Sequence, residues 1–239
     1  MKKKIIAVIL TAATMAALYG CGSDKNTETQ ASTTAQTKAE TAEETQTSAE
    51  TAAETEAGDD YIKGTTSAEG FESQWLNLKF TPAEDDIMAT EEEIAAMLGT
   101  GTETVQEGIG ATDEQMQQTV NNTVCEMMAS KATGSPNVQI MVEKVPMGNM
   151  TAEQYLDVVK AQLESLDMGY TSSAEYTAKT IAGQEYTVLK TEASTNGVDF
   201  IQEYATRKQG NRLISFIMTY TGDTAEAMDT MLGQFTTFE

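Results

Sequence analysis

Residues 185–220 of this 239-residue chain read EYTVLKTEASTNGVDFIQEYATRKQGNRLISFIMTY. Three runs rich in β-branched and aromatic residues follow one another here, and we predict three strands at Glu185–Thr191, Val198–Arg207 and Leu213–Tyr220. The runs are separated by Asn-Gly and Gln-Gly-Asn, which are typical of tight hairpin turns. Strands joined by such turns pair antiparallel, so this stretch predicts the centre of an antiparallel sheet.

Four more segments extend this sheet toward the N-terminus. They show alternation or β-branched enrichment between turn residues, and they lie at Ser73–Thr81, Val120–Lys131, Asn137–Val145 and Tyr170–Thr180. The second and third flank an Ala-Thr-Gly-Ser-Pro turn, which predicts a hairpin.

Helices are predicted from capping boxes, in which a Ser or Thr precedes a Glu or Gln by three residues. The chain has Thr90 with Glu93 and Thr151 with Gln154, and a last helix should begin near Asp223 with its cap shared by Glu226. The glycine-rich segment 99–118 predicts a long loop, with a turn of helix at 113–118. The fold class is therefore α+β: a single antiparallel sheet of about six or seven strands with helices packed on it.

The N-terminus has the layout of an export signal. Three lysines precede an apolar run that ends in Leu18-Tyr19-Gly20-Cys21. The run is too short to span a bilayer, which needs about 20 apolar residues. Leu18, Tyr19, Gly20 and Cys21 resemble the lipobox of bacterial lipoproteins, which implies cleavage before Cys21 and a diacylglyceryl anchor on its thiol. Residues 1–20 are then the signal peptide, with simple secretion or an uncleaved anchor as the alternatives.

A polar tract of residues 21–60 follows the cysteine. From residue 23 it consists mainly of Thr, Glu, Ala, Ser and Gln, and it has no aromatic residue, Val, Ile, Leu or Met until Tyr61. Such a composition cannot bury enough surface to offset its ordering entropy, so we predict a disordered tether. It should present a folded domain, residues 61–239, on the outer face of the cell membrane.

Charge and residue types exclude several functions. The net charge is −22, which disfavours binding to nucleic acid. The chain has no histidine, which removes Ser-His-Asp and Cys-His nucleophiles and the usual zinc sites. The acids near Glu84 and Glu91 could supply ligands for calcium, but acids in a first helical turn are expected from the helix dipole alone. We expect no cofactor and no metal.

A few residues remain as candidates for binding. Trp75 is the only tryptophan, and an exposed tryptophan is a common binding hot spot. Arg207, Lys208 and Arg212 form the basic cluster of an otherwise acidic domain and could meet an anionic group, although pairing with the domain's own acids is the simpler interpretation. Cys125 has no nearby group to activate it and is expected to be a buried apolar residue. A cluster of methionines around Met128 could line an adaptable groove or fill the core.

The order of these elements resembles the PsbP-like fold, named for an extrinsic subunit of photosystem II. Short stretches such as Leu-Asn-Leu-Lys-Phe-Thr-Pro at 76–82 and Ala-Gly-Gln-Glu-Tyr at 182–186 are also similar to mostly uncharacterised lipoproteins of Firmicutes. The resemblance spans about residues 70–239 and implies a PsbP-like α+β domain. It implies no reaction, because a fold does not fix a function.

These observations predict a lipid-anchored extracytoplasmic module that binds a protein or a small ligand and does not catalyse. One alternative is a carboxylate-dependent hydrolase of cell-envelope polymer, which needs two acids about 5–9.5 Å apart in a cleft. Another is a passive structural lipoprotein. The membrane is the expected partner through Cys21.

Overall fold

The computed structural model describes residues 60–99, 112–145, 150–166, 169–195 and 197–238. The predicted signal peptide, with Leu18, Tyr19, Gly20 and Cys21, and the tether up to residue 59 lie outside the described residues. Their boundaries, like the start of the predicted domain at residue 61, stay predictions.

Twelve strands are present in the described part of the chain. They are β1 (Thr65–Ser67), β2 (Gly70–Ser73), β3 (Leu78–Phe80), β4 (Asp86–Met88), β5 (Thr123–Lys131), β6 (Asn137–Lys144), β7 (Thr171–Ser172), β8 (Thr177–Ile181), β9 (Gln184–Thr195), β10 (Val198–Gln209), β11 (Arg212–Tyr220) and β12 (Phe235–Thr236). Four helices accompany them: α1 (91–99), α2 (Asp113–Asn122), α3 (Ala152–Ser165) and α4 (Ala225–Leu232). No helix among the described residues is long and apolar enough to cross a bilayer.

The strands form two antiparallel sheets, so the prediction of a single sheet is wrong. The larger sheet has eight strands in the order β4-β5-β6-β11-β10-β9-β7, and β8 also pairs with β9. The smaller sheet has the order β1-β2-β3-β12. The predicted centre is confirmed: β9, β10 and β11 pair antiparallel in sequence order.

Both faces of the large sheet are buried, which explains the second sheet. On one face α1 and α3 pack over residues such as Met128, Met141 and Leu189. On the other face β2, β3, β12 and α4 pack over residues such as Ile140 and Phe216. The domain therefore has three layers, with the large sheet in the middle and an apolar core on each side.

Several predicted boundaries are corrected by the structure. Segment 73–81 is a turn at residues 74–77 followed by the short β3, and Asn77 has a φ of 54° in that turn. The helical turn predicted at 113–118 is the longer α2, and β5 therefore begins at Thr123 rather than at Val120. A 3₁₀ turn over Gly222–Thr224 precedes α4, and the N–H of Thr221 donates to Oγ1 of Thr224 at 2.9 Å at its start. The N-cap residue of α4 is Thr224, instead of the predicted Asp223 with Glu226.

The two predicted capping boxes are confirmed. The N–H of Thr90 donates to Oε2 of Glu93 at 2.9 Å, and the N–H of Glu93 donates back to Oγ1 of Thr90 at 3.3 Å. Thr151 and Gln154 make the equivalent pair of bonds at the start of α3. These caps satisfy backbone donors that a helix leaves unpaired and so fix where α1 and α3 begin.

Candidate functional site

The chain between β3 and α1 folds back along the edge of the large sheet. The N–H of Ala83 donates to Oδ2 of Asp86 at 2.8 Å, and the N–H of Asp86 donates to the carbonyl of Ala83 at 3.0 Å, which makes a tight turn. Nζ of Lys131 lies 2.7 Å from Oδ1 of Asp85 and 2.8 Å from Oδ1 of Asp86. These ion pairs hold the start of β4 beside the end of β5, and α1 begins three residues after β4.

An apolar cavity of about 370 Å³ lies between α1 and the strands that it covers. Ile87 and Ala89 line it from the β4 segment, Met97 from α1 and Met128 from β5. Its other lining residues are Glu93, Ala96, Ser130, Gly134 and Asn137. The volume falls in the range of about 300–1,000 Å³ that is usual for small-molecule sites, and unbranched methionines allow the wall to adapt.

Glu93 places one negative charge on the wall of the apolar cavity. The N–H and the hydroxyl of Thr90 donate to its Oε2 and hold the pKa of this carboxyl below its usual range. Glu93 is therefore ionised at neutral pH. Among the described residues that line the cavity it is the only charged one, so the site combines an apolar interior with an anionic rim.

Three of the predicted binding residues lie on the opposite side of the large sheet. Trp75 is half-buried and meets Tyr61 edge to face at 5.1 Å between ring centroids, while its carbonyl accepts a bond from Gln209 at 2.7 Å. The guanidinium of Arg207 donates to the hydroxyl of Tyr186 at 3.1 Å. These contacts give Trp75 and Arg207 structural partners, and their role in binding stays a prediction.

Arg212 is also held inside the domain. It is 8% exposed, and its guanidinium lies 4.1 Å from the ring centroid of Tyr61. The hydroxyl of Tyr61 donates to Oε1 of Glu126 at 2.6 Å, and the N–H of Gly64 donates to its Oε2 at 2.8 Å. Lys208, one residue after Arg207 in β10, projects to the other face of the sheet. The predicted basic cluster is thus divided between two faces.

A second cavity, of about 310 Å³, lies next to Glu126. Lys63 and Glu91 line it and form an ion pair at 3.1 Å. Cys125 also lines this cavity, but its side chain is only 6% exposed and burial raises its pKa to about 12. The thiol is thus protonated and unreactive at neutral pH, in agreement with the expected buried apolar role.

Glu143 is a buried acid of β6. Its side chain lies under α3 and is 1% exposed, and its Oε2 accepts a hydrogen bond from the hydroxyl of Tyr155 at 3.0 Å. Its Oε1 has no hydrogen-bond partner. Burial raises the pKa of Glu143 to about 8, so the group is mostly neutral at pH 7.

The acids proposed for calcium or for hydrolysis do not converge. Asp85 and Asp86 pair with Lys131, and Glu91 pairs with Lys63. No group of three potential metal ligands occurs within the described ranges. The apolar cavity has Glu93 as its only acid among the described lining residues, so it lacks the carboxylate pair that a glycoside hydrolase needs.

No protein-family model matches the chain, and no curated protein sequence matches it. Similar solved structures include the cyanobacterial PsbP protein CyanoP from Synechocystis sp. PCC 6803, with 11% identity, a TM-score of 0.41, and coverage of 74% of this chain and 98% of that chain. Another is LpqN of Mycobacterium tuberculosis, a protein involved in cell envelope biogenesis, with 11% identity, a TM-score of 0.39, and coverage of 68% and 83%. Similarity at this level transfers neither a family nor a function to the chain.

The sequence contained part of the signal for the apolar cavity. Ile94 recurs with Met97 and Leu98 at spacings of three and four residues, which is typical of one helix face, and Met128 was predicted either to line a groove or to fill the core. The sequence did not reveal β4, because a three-residue strand is too short to show alternation. Without β4, the position of α1 at the sheet edge and the charge of Glu93 on the cavity wall could not be foreseen.

Proposed function

We propose that this protein is a lipid-anchored extracytoplasmic binding module that receives an apolar group of its ligand in the cavity beneath α1. The observation that supports this role most is the cavity itself. It combines about 370 Å³, an apolar lining and two adaptable methionines with one ionised carboxylate. A few polar groups in a mainly apolar pocket are typical of ligand sites.

A non-catalytic role accounts for the chemistry of the described residues better than hydrolysis does. The cavity has one acid, Glu93, and this acid also caps α1. The buried thiol of Cys125 is protonated, and the buried carboxyl of Glu143 lies beneath α3 among core residues. The two carboxyls bond to the hydroxyls of Thr90 and Tyr155, and the neighbouring Glu126 raises the pKa of the thiol instead of lowering it.

We expect Cys21→Ser to release the protein from the membrane. Two acyl chains give stable anchoring, whereas the acidic domain is repelled by anionic headgroups. The measurement is the distribution of full-length protein between membrane and aqueous fractions of a bacterial host, with Cys125→Ser as the matched control. Retention of Cys21→Ser in the membrane fraction to the same extent as wild type would contradict lipid anchoring.

We expect the full chain in mild detergent to bind N-phenyl-1-naphthylamine, a neutral apolar fluorophore, with saturable enhancement of fluorescence. Ala89→Phe should abolish this enhancement, because Ala89 lines the cavity and a phenyl ring there would fill it. Ala178→Phe is the matched control, since Ala178 is exposed on β8, away from the cavity.

The melting temperature of each variant shows that it is folded, and a detergent blank corrects for probe in micelles. Absence of saturable enhancement in wild type, or equal enhancement in Ala89→Phe, would rule out the proposed binding role of this cavity.

A further inference from the structure

The apolar cavity opens beside an edge strand, β4, whose outer side pairs with none of the described residues. β4 is the terminal strand of the large sheet, and within the described residues it pairs only with β5. Ile87, in the middle of β4, is 52% exposed although it lines the cavity. Exposed edges with apolar residues are the usual places where another strand is added.

The hydrogen-bond pattern of β4 identifies the groups that face outward. The N–H of Ala89 donates to the carbonyl of Met128 at 2.9 Å, and Ile87 lies opposite Ser130 in the same register. In an antiparallel pair such bonded residues alternate with residues whose backbone groups point away. The N–H and carbonyl of Met88 therefore point to the free edge, and no described residue bonds to them.

Side-chain directions relate this edge to the cavity. Ile87 and Ala89 project to the face covered by α1, whereas Met88 projects to the opposite face. A strand added to β4 would lie about 4.8 Å away and would alternate its side chains between the same two faces. Every second side chain of the added strand would then lie at the mouth of the cavity, beside Ile87.

The acidic residues around the cavity favour a cationic ligand. Glu93 is ionised on the cavity wall, and the exposed acids Glu84 and Glu92 lie in the same turn–strand–helix segment. Both hydrogen bonds that the Glu93 carboxylate accepts end on Oε2, and none of the described residues bonds to its Oε1. With a chain of net charge −22, such a rim attracts a cation and repels an anion.

We infer that β4 and the cavity together bind an extended basic peptide, which adds an antiparallel strand to β4 and inserts one apolar side chain into the cavity. This inference rests on the proposed binding role of the cavity. The bonds to Met88 would give affinity, while the cavity and Glu93 would select an apolar residue flanked by lysine or arginine.

The test uses acetyl-Lys-Thr-Leu-Thr-Lys-amide, titrated into the full chain by calorimetry. Its leucine and lysines lie on one face when it is extended. Antiparallel pairing places one threonine opposite Met88, whether the leucine faces Ile87 or Ala89. N-methylation of both threonines should therefore weaken binding at least about ten-fold, whereas N-methylation of the leucine should be tolerated. Equal affinities of the two N-methylated peptides, or loss of binding in the N-methyl-leucine peptide alone, would overturn the inference.

Two protein variants locate the binding. Met88→Pro removes the outward N–H and the methionine side chain but no bond to β5, so it should lose the peptide and still bind the neutral fluorophore. Met88→Ala, which loses the same side chain but keeps the N–H, should bind both. Glu93→Gln keeps a capping box but removes the charge, and it should weaken the peptide about two- to five-fold at low salt, with Glu164→Gln on α3 as the unaffected control. A wild-type protein that binds the fluorophore but not the peptide overturns this inference alone. A protein that binds neither overturns the proposed function as well.

Discussion

The stability of wild-type protein should fall by about 4 kcal/mol relative to Glu143→Gln between pH 4.5 and pH 8. Glu143 has a pKa of about 8 in the folded protein and a usual value of 4.5, so the folded state holds a proton that the unfolded state releases in this range. The stabilising contribution is complete below pH 4.5 and is lost as the pH rises through 8. The slope is about 1.4 kcal/mol per pH unit, and the amide of Gln does not titrate.

The measurement is urea unfolding of both proteins at half-unit pH steps, followed by the fluorescence of Trp75. Tyr155 is the titratable neighbour of Glu143, and its pKa is raised well above its usual value, so it stays protonated throughout this range. Subtracting the two curves removes the contribution of the other titrating groups. A difference that stays constant with pH would show that Glu143 is not buried as described.

Gly70→Ala should destabilise the domain by at least about 3 kcal/mol, or prevent it from folding. Gly70 begins β2 with a φ of 141°, which side chains rarely adopt. A Cβ at this position would lie 2.3 Å from the carbonyl oxygen of Phe80 on the neighbouring strand. The strained φ and the close contact would both disturb the hairpin that carries Phe71 and Phe80 into the core beneath the large sheet.

The measurement is the melting temperature, which should fall by about 6–12 °C for a domain of this size if the protein folds. Gly222→Ala is the matched control, because no atom lies within 4 Å of a Cβ built there. It should change stability by less than about 0.5 kcal/mol. Equal melting temperatures of the two variants would contradict the pairing of β2 with β3.

The long central strands were predictable because their chemistry is local. β9, β10 and β11 have hairpin turns at Gly197 and Gly210, both with positive φ, and their pairing follows from the turns. The capping boxes of α1 and α3 were predictable for the same reason, because each joins two residues that are three positions apart. These elements establish the α+β class and the antiparallel sheet, whereas the membrane address rests on residues that precede the described part of the chain.

The second sheet was not predictable by the same reasoning, although β6 contained a signal for it. Seven consecutive residues of β6, Asn137–Glu143, are buried, because the strand is covered on both faces. A strand covered on both faces usually has apolar residues without clear alternation, but in β6 only Met141 interrupts the alternation, so the signal is weak. The sequence also does not say whether helices or strands cover the strand. The covering strands β1, β2, β3 and β12 have two to four residues each, which is too short for a periodic pattern.

The polar residues of β6 favour an exposed face that the strand does not have in the structure. Gln139 and Glu143 alternate with Val138, Ile140 and Val142, which favours a half-exposed strand. In the structure α1 and α3 cover that face, and Glu143 is compensated by the hydroxyl of Tyr155, twelve residues further along the chain. A polar residue in a strand is therefore an ambiguous sign of exposure when a later helix can supply its partner.

The cavity beneath α1 is tested most directly by nuclear magnetic resonance of the methionine methyl groups in the full chain, labelled with carbon-13 and titrated with N-phenyl-1-naphthylamine. Binding in the cavity predicts that the methyl signals of Met97 and Met128 shift in a saturable manner. Met228 and Met231, in the core on the other face of the large sheet, should not move. Unchanged signals from Met97 and Met128 at saturating probe, or shifts confined to Met228 and Met231, would contradict a binding site at this position.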